Sequence, residues 1–194
     1  RVHLITRPGK DGRGGAVREG FRWGLTQQPA FDVFVEMDCD FSHDPAAIKD
    51  GLALVAKGRD IAIGSRYPDG QILGWPATRR VFSFFSNGLA RVLIDPSVHD
   101  YTTGFRCYTR AAVEELIRNQ QKHKGYIYLS ESLSQLLKKG FTVGEFPIVF
   151  KNRERGKSNT SLNEVKSAFV GILQISWEHK FKKAASRGSA QRSA

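Results

Sequence analysis

The chain has 194 residues, 40% of them apolar, which is enough for one α/β domain with its own core and too apolar for a disordered polypeptide. With 30 Lys and Arg against 19 Asp and Glu, the net charge of +11 favours anionic partners: nucleic acid, acidic lipid or phosphorylated substrates. Cys39 and Cys107 form no CxxC pair and no metal-ligand cluster, so they read as free thiols, and no apolar run is long enough to span a bilayer as a helix.

In chain order, strand and helix patterns alternate, the signature of an α/β domain with a largely parallel sheet. Val2–Thr6 reads as a strand and Pro8–Gly15 as a glycine-rich loop. A helix follows from about Gly15 to Gln27, with Val17, Phe21 and Leu25 on one face. Phe31–Met37 reads as a buried strand, and Asp44-Pro45 as a helix start with Asp at the N-cap and Pro at the first helical position. That helix reaches about Lys57, and Asp60–Gly64 is a strand. Pro68–Pro76 reads as a loop and Thr78–Ile94 as a helix rich in Phe and Arg. A short strand Gly104–Thr109, helices Arg110–Gln121 and Leu129–Lys139, and a strand Phe141–Phe150 complete the pattern, with Gly140 just past the second helix. Lys151–Asn159 is a basic loop, Leu162–Lys183 a second long amphipathic helix, and 184–194 a basic tail expected to be disordered.

Asp38-Cys39-Asp40 stands directly after the strand Phe31–Met37. Open parallel sheets bind ligands beyond the carboxyl ends of their strands. Two carboxylates two residues apart can hold one hard divalent cation and leave positions for water and a diphosphate. They can equally be loop aspartates capping the next helix, and the spacing alone leaves both readings open.

The surrounding residues are more specific. Met37-Asp38-Cys39-Asp40-Phe41-Ser42-His43-Asp44-Pro45 resembles the M-D-A-D-hydrophobic-S/Q-H-x-P segment of dolichol-phosphate mannosyltransferases and their relatives, inverting family 2 glycosyltransferases with a GT-A fold. Arg7 to Phe21 resembles their R-x-x-K-x-G-L-G-x-A…G-F stretch, and Gly64-Ser65-Arg66-Tyr67 their G-S-R-Y. Trp75, Arg79, Ser83 and Asn87 follow W-x-x-x-R-x-x-x-S-x-x-x-N, and Asp100 to Arg106 follow D-x-T-S-G-F-R. Gly125-Tyr126 with Glu131 resembles G-Y/F…E. Pro147 to Phe150, then Arg153, Gly156 and Ser158, resemble P-I-x-F…R-x-x-G-x-S-K, with Asn159 in place of the Lys. The likeness covers about residues 1–180.

That resemblance implies a Rossmann-like GT-A domain over 1–183, cut at its front, because the family's opening P-x-Y-N-E strand and the following base-binding strand do not occur here. It implies transfer of mannose from GDP-mannose to dolichyl or polyprenyl phosphate, with Mg2+ or Mn2+ held by Asp38 and Asp40 and an added oxygen from Ser42. A lipid phosphate is already an anion and needs no general base. The site must then gather two anions with a cation and arginines. Arg66, Arg79 and Arg153 are the implied phosphate contacts, Ser83 a hydrogen-bond donor to the acceptor phosphate, and Asp100 a group that lies near the sugar or orients its loop. His43 reads as a residue flanking the helix before it reads as a metal ligand, and Lys151 and Arg155 read as solvated charge.

The two amphipathic helices fit a membrane surface, and the resemblance implies a peripheral protein on the cytoplasmic face of a membrane, lying on it or held there by a further segment or an anchoring subunit. Rival readings are a glucosyl or other glycosyl transferase to polyprenyl phosphate on the same fold, an inactive fragment, or a basic nucleic-acid-binding module. Nucleic acid is disfavoured because no RNP, KH or zinc-finger pattern occurs. A polysaccharide synthase is disfavoured because Q-x-x-R-W is absent.

Overall fold

The structure is a computed structural model that describes residues 2–9, 11–123, 125, 127–152 and 170–177. Its elements are α1 (Gly12–Leu25), β1 (Val33–Glu36), a 3-10 turn at Pro45–Ala47 running into α2 (Ile48–Ala56), β2 (Ile61–Ser65), β3 (Gln71–Leu73), α3 (Ala77–Leu93), β4 (Arg106–Thr109), α4 (Arg110–Arg118), α5 (Tyr128–Lys138), β5 (Val143–Pro147) and β6 (Val149–Lys151). Residues 170–177 are also helical. The remainder of the helix expected over 162–183, Arg153 and the tail from 184 lie outside the described residues.

A four-stranded sheet in the order β1-β4-β2-β5 forms the middle layer. The α/β class read from the sequence holds, and the sheet is mixed: β2 and β5 are parallel, while β4 runs antiparallel to both β1 and β2. β1, β2 and β5 therefore all point the same way. Their carboxyl ends open onto one rim, where the chain entering β4 also arrives.

Side chains alternate across this sheet with a period of two. Ile61, Ile63, Phe34 and Tyr108 face one cluster with Phe21, Leu133, Leu136, Ile172 and Ile175. Ala62 and Cys107 face the other, with Phe105, Phe146 and Ile148, against which Ile48, Leu54 and Val55 pack. Helices thus cover both faces, and β2 is buried along its whole length. Cys39 and Cys107 are free thiols, as read.

Four expectations need correction. Residues 2–7 form no strand, are mostly exposed, and join neither sheet of the described residues. β1 is an edge strand with alternating burial, not a buried run, so Val35 faces outward. The stretch read as a loop at 68–76 contains β3, whose pairing with β6 is non-local and leaves no local signal. The single strand expected over 141–150 is two, because at Ile148 the chain changes sheets: its N–H donates to Ser65 O (3.0 Å) and its carbonyl accepts from Gln71 N–H (2.9 Å). Gly70 permits this junction, since a Cβ there would lie 2.3 Å from Ser65 O.

The helix signals read more faithfully. Asp44 caps the turn at Pro45–Ala47 by accepting from Ala46 N–H (2.9 Å). Gly140 follows α5 with φ of +87°, the left-handed conformation that ends a helix. Its N–H donates to Leu137 O (3.1 Å).

Two helical glycines sit in opposite environments. A Cβ at Gly51 in α2 would lie 2.5 Å from Cys107 Sγ, whereas one at Gly88 in α3 would meet nothing within 4 Å. Gly88→Ala is expected to stabilise the fold by about 0.5–1 kcal/mol, and Gly51→Ala to destabilise it by about 1–3 kcal/mol. Equilibrium urea denaturation checks both; a loss at Gly88 or a gain at Gly51 contradicts the packing of these helices.

Candidate active site

The rim formed by the ends of β1, β2 and β5 collects most of the residues singled out in the sequence. Arg66 follows β2 and is almost wholly buried. Its Nε donates to Asp100 Oδ2 (2.7 Å), its Nη2 to Asp100 Oδ1 (2.8 Å), and its backbone N–H to Asp100 Oδ2 (3.0 Å). Asp100 also accepts from the backbone N–H groups of Thr102 and Thr103, both at 3.1 Å. Burial opposes charge on both partners, but the pair overrides it: Asp100 strengthens the hold of the Arg66 guanidinium on its proton, and Arg66 keeps the Asp100 carboxyl below the ordinary carboxylate range. The two residues read as a phosphate contact and a sugar neighbour are thus joined to each other.

This pair is braced from behind and in front. Glu145 on β5 accepts from His99 N–H (3.0 Å) and Asp100 N–H (3.0 Å), fixing the turn that presents Asp100. Arg66 Nη2 also donates to Thr102 Oγ1 (2.7 Å), which accepts from Asn87 Nδ2 (3.3 Å) on α3. Asn87 Oδ1 in turn accepts from Tyr101 N–H (2.8 Å). Ser83, one turn earlier on α3, accepts from the Tyr67 hydroxyl (3.0 Å). The guanidinium of Arg66 lies 5.2 Å from the Trp75 ring and that of Arg79 lies 3.8 Å from it, so one indole brings both cations to the same place.

α3 has an inverted pattern. Its buried residues are Ser83, Ser86, Asn87 and Ala90, while Val81, Phe84, Phe85 and Val92 are exposed by 54% to 77%. A cleft of about 480 Å³ runs from Arg66 and Tyr67 past Arg80 to Phe84 and Phe85.

The carboxylate pair sits on the loop after β1. Asp40 Oδ1 accepts from Ser42 N–H (3.1 Å) and from the Ser42 hydroxyl. The Ser42 oxygen expected on a metal is thereby engaged with Asp40. Between them Phe41 is 80% exposed and holds φ of +62°, a strained conformation for a bulky residue. The loop is tied to β6 by Lys151 N–H donating to Ser42 O (3.1 Å).

His43 is buried against the rings of Phe105 and Phe150 and accepts the Asp38 N–H at Nδ1 (3.2 Å). Burial keeps this imidazole neutral, pulling its affinity for the proton below the ordinary value. It therefore orients the backbone of Asp38 instead of facing solvent.

Sequence reading missed two members of this region. Arg13 donates to Asp38 Oδ1, to Glu36 Oε1 through Nη2 (3.2 Å), and to Gly104 O (3.2 Å). Glu36 is buried and also accepts from the hydroxyls of Tyr108 (3.3 Å) and Tyr128 (3.2 Å). The available signal was parity, since Glu36 shares the inward side of β1 with Phe34. Arg106, also in a quoted motif, is fully buried and donates to the carbonyls of Leu129 (2.8 Å) and Tyr101 (2.9 Å), a structural tie between α5 and the turn. Among the described residues no cluster of three metal-ligating side chains exists. Asp38 and Asp40 supply carboxylate oxygens, the donor type that a hard divalent ion prefers.

A family model for glycosyl transferase family 2 matches residues 1–117. Over 175 residues the chain is 38% identical to the polyprenol monophosphomannose synthase of Mycolicibacterium smegmatis, covering 90% of this chain and 65% of that protein. It is 35% identical over 182 residues to the undecaprenyl-phosphate mannosyltransferase of Micrococcus luteus, covering 91% of this chain and 74% of that protein. The chain thus spans just under two thirds of the first relative. The glucosyl-3-phosphoglycerate synthase of Mycobacterium tuberculosis, solved with Mn2+ and UDP-glucose, shares the fold with a TM-score of 0.56 and 16% identity, over 89% of this chain and 56% of that one.

Asp100→Asn removes the charge that Arg66 is buried against, and a loss of about 3–5 kcal/mol in stability is expected. The depressed carboxyl also sets a pH dependence: its contribution is in place above the unfolded value near 3.8 and is lost as pH falls below it. Urea midpoints measured from pH 7 down to 3 check both effects. The wild type should lose stability across the acid range and Asp100→Asn should lose less; equal slopes would contradict the pairing.

Proposed function

The chain belongs to glycosyl transferase family 2, and from that premise we propose that its parent protein transfers mannose from GDP-mannose to a polyprenyl phosphate. The observation that carries this reading is the identity with two polyprenyl-phosphate mannosyltransferases across nine tenths of the chain. The rim supports it. The carboxylates follow β1 and a braced arginine follows the parallel β2, and a cleft leads from that arginine to exposed phenylalanines.

In this reading an oxygen of the lipid phosphate attacks the anomeric carbon, and the bond from that carbon to the nucleoside diphosphate breaks with inversion. The acceptor is ionised near neutral pH and needs no base to remove a proton. Asp38 and Asp40 would hold the divalent ion, which supplies positive charge to the departing diphosphate. Asp40 is oriented for this by Ser42, and Asp38 by the imidazole of His43. Arg66, stacked at Trp75 beside Arg79, presents its cationic edge to the cleft, where the acceptor phosphate would lie. Ser83, which accepts from the Tyr67 hydroxyl, keeps its own hydroxyl proton to donate to that phosphate. Asp100 acts through Arg66, fixing where that charge stands. Arg153 completes the proposed phosphate contacts by resemblance alone.

No described helix is long and apolar enough to cross a membrane. The outward Val81, Phe84 and Phe85, next to Arg80, fit the headgroup layer of a membrane surface, where apolar and cationic side chains are both satisfied. That surface would deliver the lipid end of the acceptor to the mouth of the cleft.

Asp38→Asn and Asp40→Asn in the full-length protein are expected to lower turnover of radiolabelled GDP-mannose with polyprenyl phosphate by roughly 10²–10³-fold, with activity abolished by chelation. Normal turnover by either variant sinks the assignment of the carboxylates. Faster transfer from UDP-glucose than from GDP-mannose sinks the choice of donor.

Phe84→Ser combined with Phe85→Ser should weaken binding to anionic lipid vesicles, read by cosedimentation, by about a hundredfold or more, since each buried aromatic contributes roughly 1.5–3 kcal/mol. Unchanged cosedimentation would remove α3 from the membrane contact.

A further inference from the structure

Arg13 in the first turn of α1 is placed to act on the carboxylate pair. Every guanidinium nitrogen is used: Nη1 on Asp38, Nε and Nη2 on Glu36, and Nη2 again on the Gly104 carbonyl. Glu36 is itself fixed by the two tyrosine hydroxyls, so the guanidinium is anchored from below. Its seat is built to size. A Cβ on Gly104 would lie 2.1 Å from Nη2, so only glycine leaves room for it. Burial disfavours a charged guanidinium, but Glu36 and Asp38 more than offset this and keep it protonated. In the G-L-G stretch that residues 12–14 resemble, leucine stands where this chain has Arg13, and leucine offers none of these bonds.

We propose that Arg13 is a resident cation of the carboxylate pair, lowering its affinity for a free divalent ion and making metal uptake depend on the donor diphosphate. The inference rests on the reading that Asp38 and Asp40 hold the metal. Two physical effects support it. One oxygen of Asp38 already accepts from Arg13, so an incoming ion competes for that carboxylate. A fixed positive charge beside the site also repels a divalent ion, in a partly buried setting where water screens poorly. A diphosphate reverses the second effect, because its negative charge attracts both the metal and the guanidinium. Metal and donor would then each strengthen the binding of the other by the same factor.

The test is Mn2+ binding to the full-length protein, read from the electron paramagnetic resonance signal of free Mn2+, with and without GDP, or UDP if GDP does not bind. Wild type is expected to bind Mn2+ weakly alone and about tenfold or more tighter with the nucleotide. Arg13→Leu should bind Mn2+ alone about tenfold tighter than wild type and show a smaller gain from the nucleotide. Arg13→Lys, which keeps the charge, should stay near wild type. Because Arg13→Leu leaves Glu36 buried without its cation, Arg13→Leu with Glu36→Gln provides a second variant with the same expected gain. Wild-type Mn2+ affinity in both leucine variants overturns the proposal. Asp38→Asn separates the two levels: if it abolishes binding while the leucine variants behave as wild type, the metal site stands and the role of Arg13 falls. If Asp38→Asn binds Mn2+ like wild type, the metal reading fails and takes this inference with it.

Discussion

The rim of this protein hangs on the buried pair of Arg66 and Asp100. Asp100 is fully buried and Arg66 is buried but for its edge at the cleft, and desolvation alone would disfavour both charges. They persist because Asp100 accepts from three groups of Arg66 and from the backbone of the following turn. Such pairs seldom add net stability over an apolar replacement, and their attested use is to fix geometry. Here the geometry fixed is considerable. The pair joins the end of β2 to the turn before β4, Glu145 joins that turn to β5, and Thr102 passes the constraint to Asn87 on α3. Three elements distant in sequence are held at one rim by a connected set of hydrogen bonds.

That same network explains why α3 faces the wrong way for an ordinary core helix. Its inner side carries Ser83, Ser86 and Asn87 because the turn and Tyr67 require polar partners there. The apolar residues are left to the outside. The exposed Phe84 and Phe85 carry a solubility cost in water, which the proposed membrane contact would remove while the polar side of the helix serves the rim. Arg80 fits this picture, since its guanidinium donates to Ile72 O (2.8 Å) at the edge of the cleft.

How far the sequence reveals this depends on how local each signal is. Helix caps and periodic faces are local, so the starts at Asp44 and the stop at Gly140 were legible, as was Phe21 on the inner face of α1. Strand direction is not local. Nothing in Arg106–Thr109 distinguishes an antiparallel strand from a parallel one, and nothing in Gln71–Leu73 announces a partner at Val149–Lys151. The motif residues around the carboxylates could be named from resemblance, but their wiring could not. Arg66 and Asp100 are 34 positions apart and were read as independent contacts. Arg13 was invisible because its partners, Glu36, Asp38 and Gly104, converge only when α1 packs beside the ends of β1 and β4.

The wiring also separates what the net charge of the chain conceals. Arg13 and Arg66 are paired with carboxylates inside the protein, which cancels most of their long-range attraction for an anionic lipid surface while leaving the edge of Arg66 at the cleft. Arg80 reaches the surface near the cleft, and Arg79 is partly exposed beside Trp75. The proposed reaction, which brings a phosphate against a diphosphate, needs cations whose positions do not relax when the anions arrive, because reorganisation during reaction forfeits the stabilisation they offer. Internal pairing supplies that rigidity. The carboxylate loop is held in the same manner from three directions: the Asp38 backbone by His43, its carboxylate by Arg13, and Asp40 by Ser42. Strain at Phe41 is tolerable because these three contacts together over-determine the loop, which is the condition under which a left-handed phenylalanine persists.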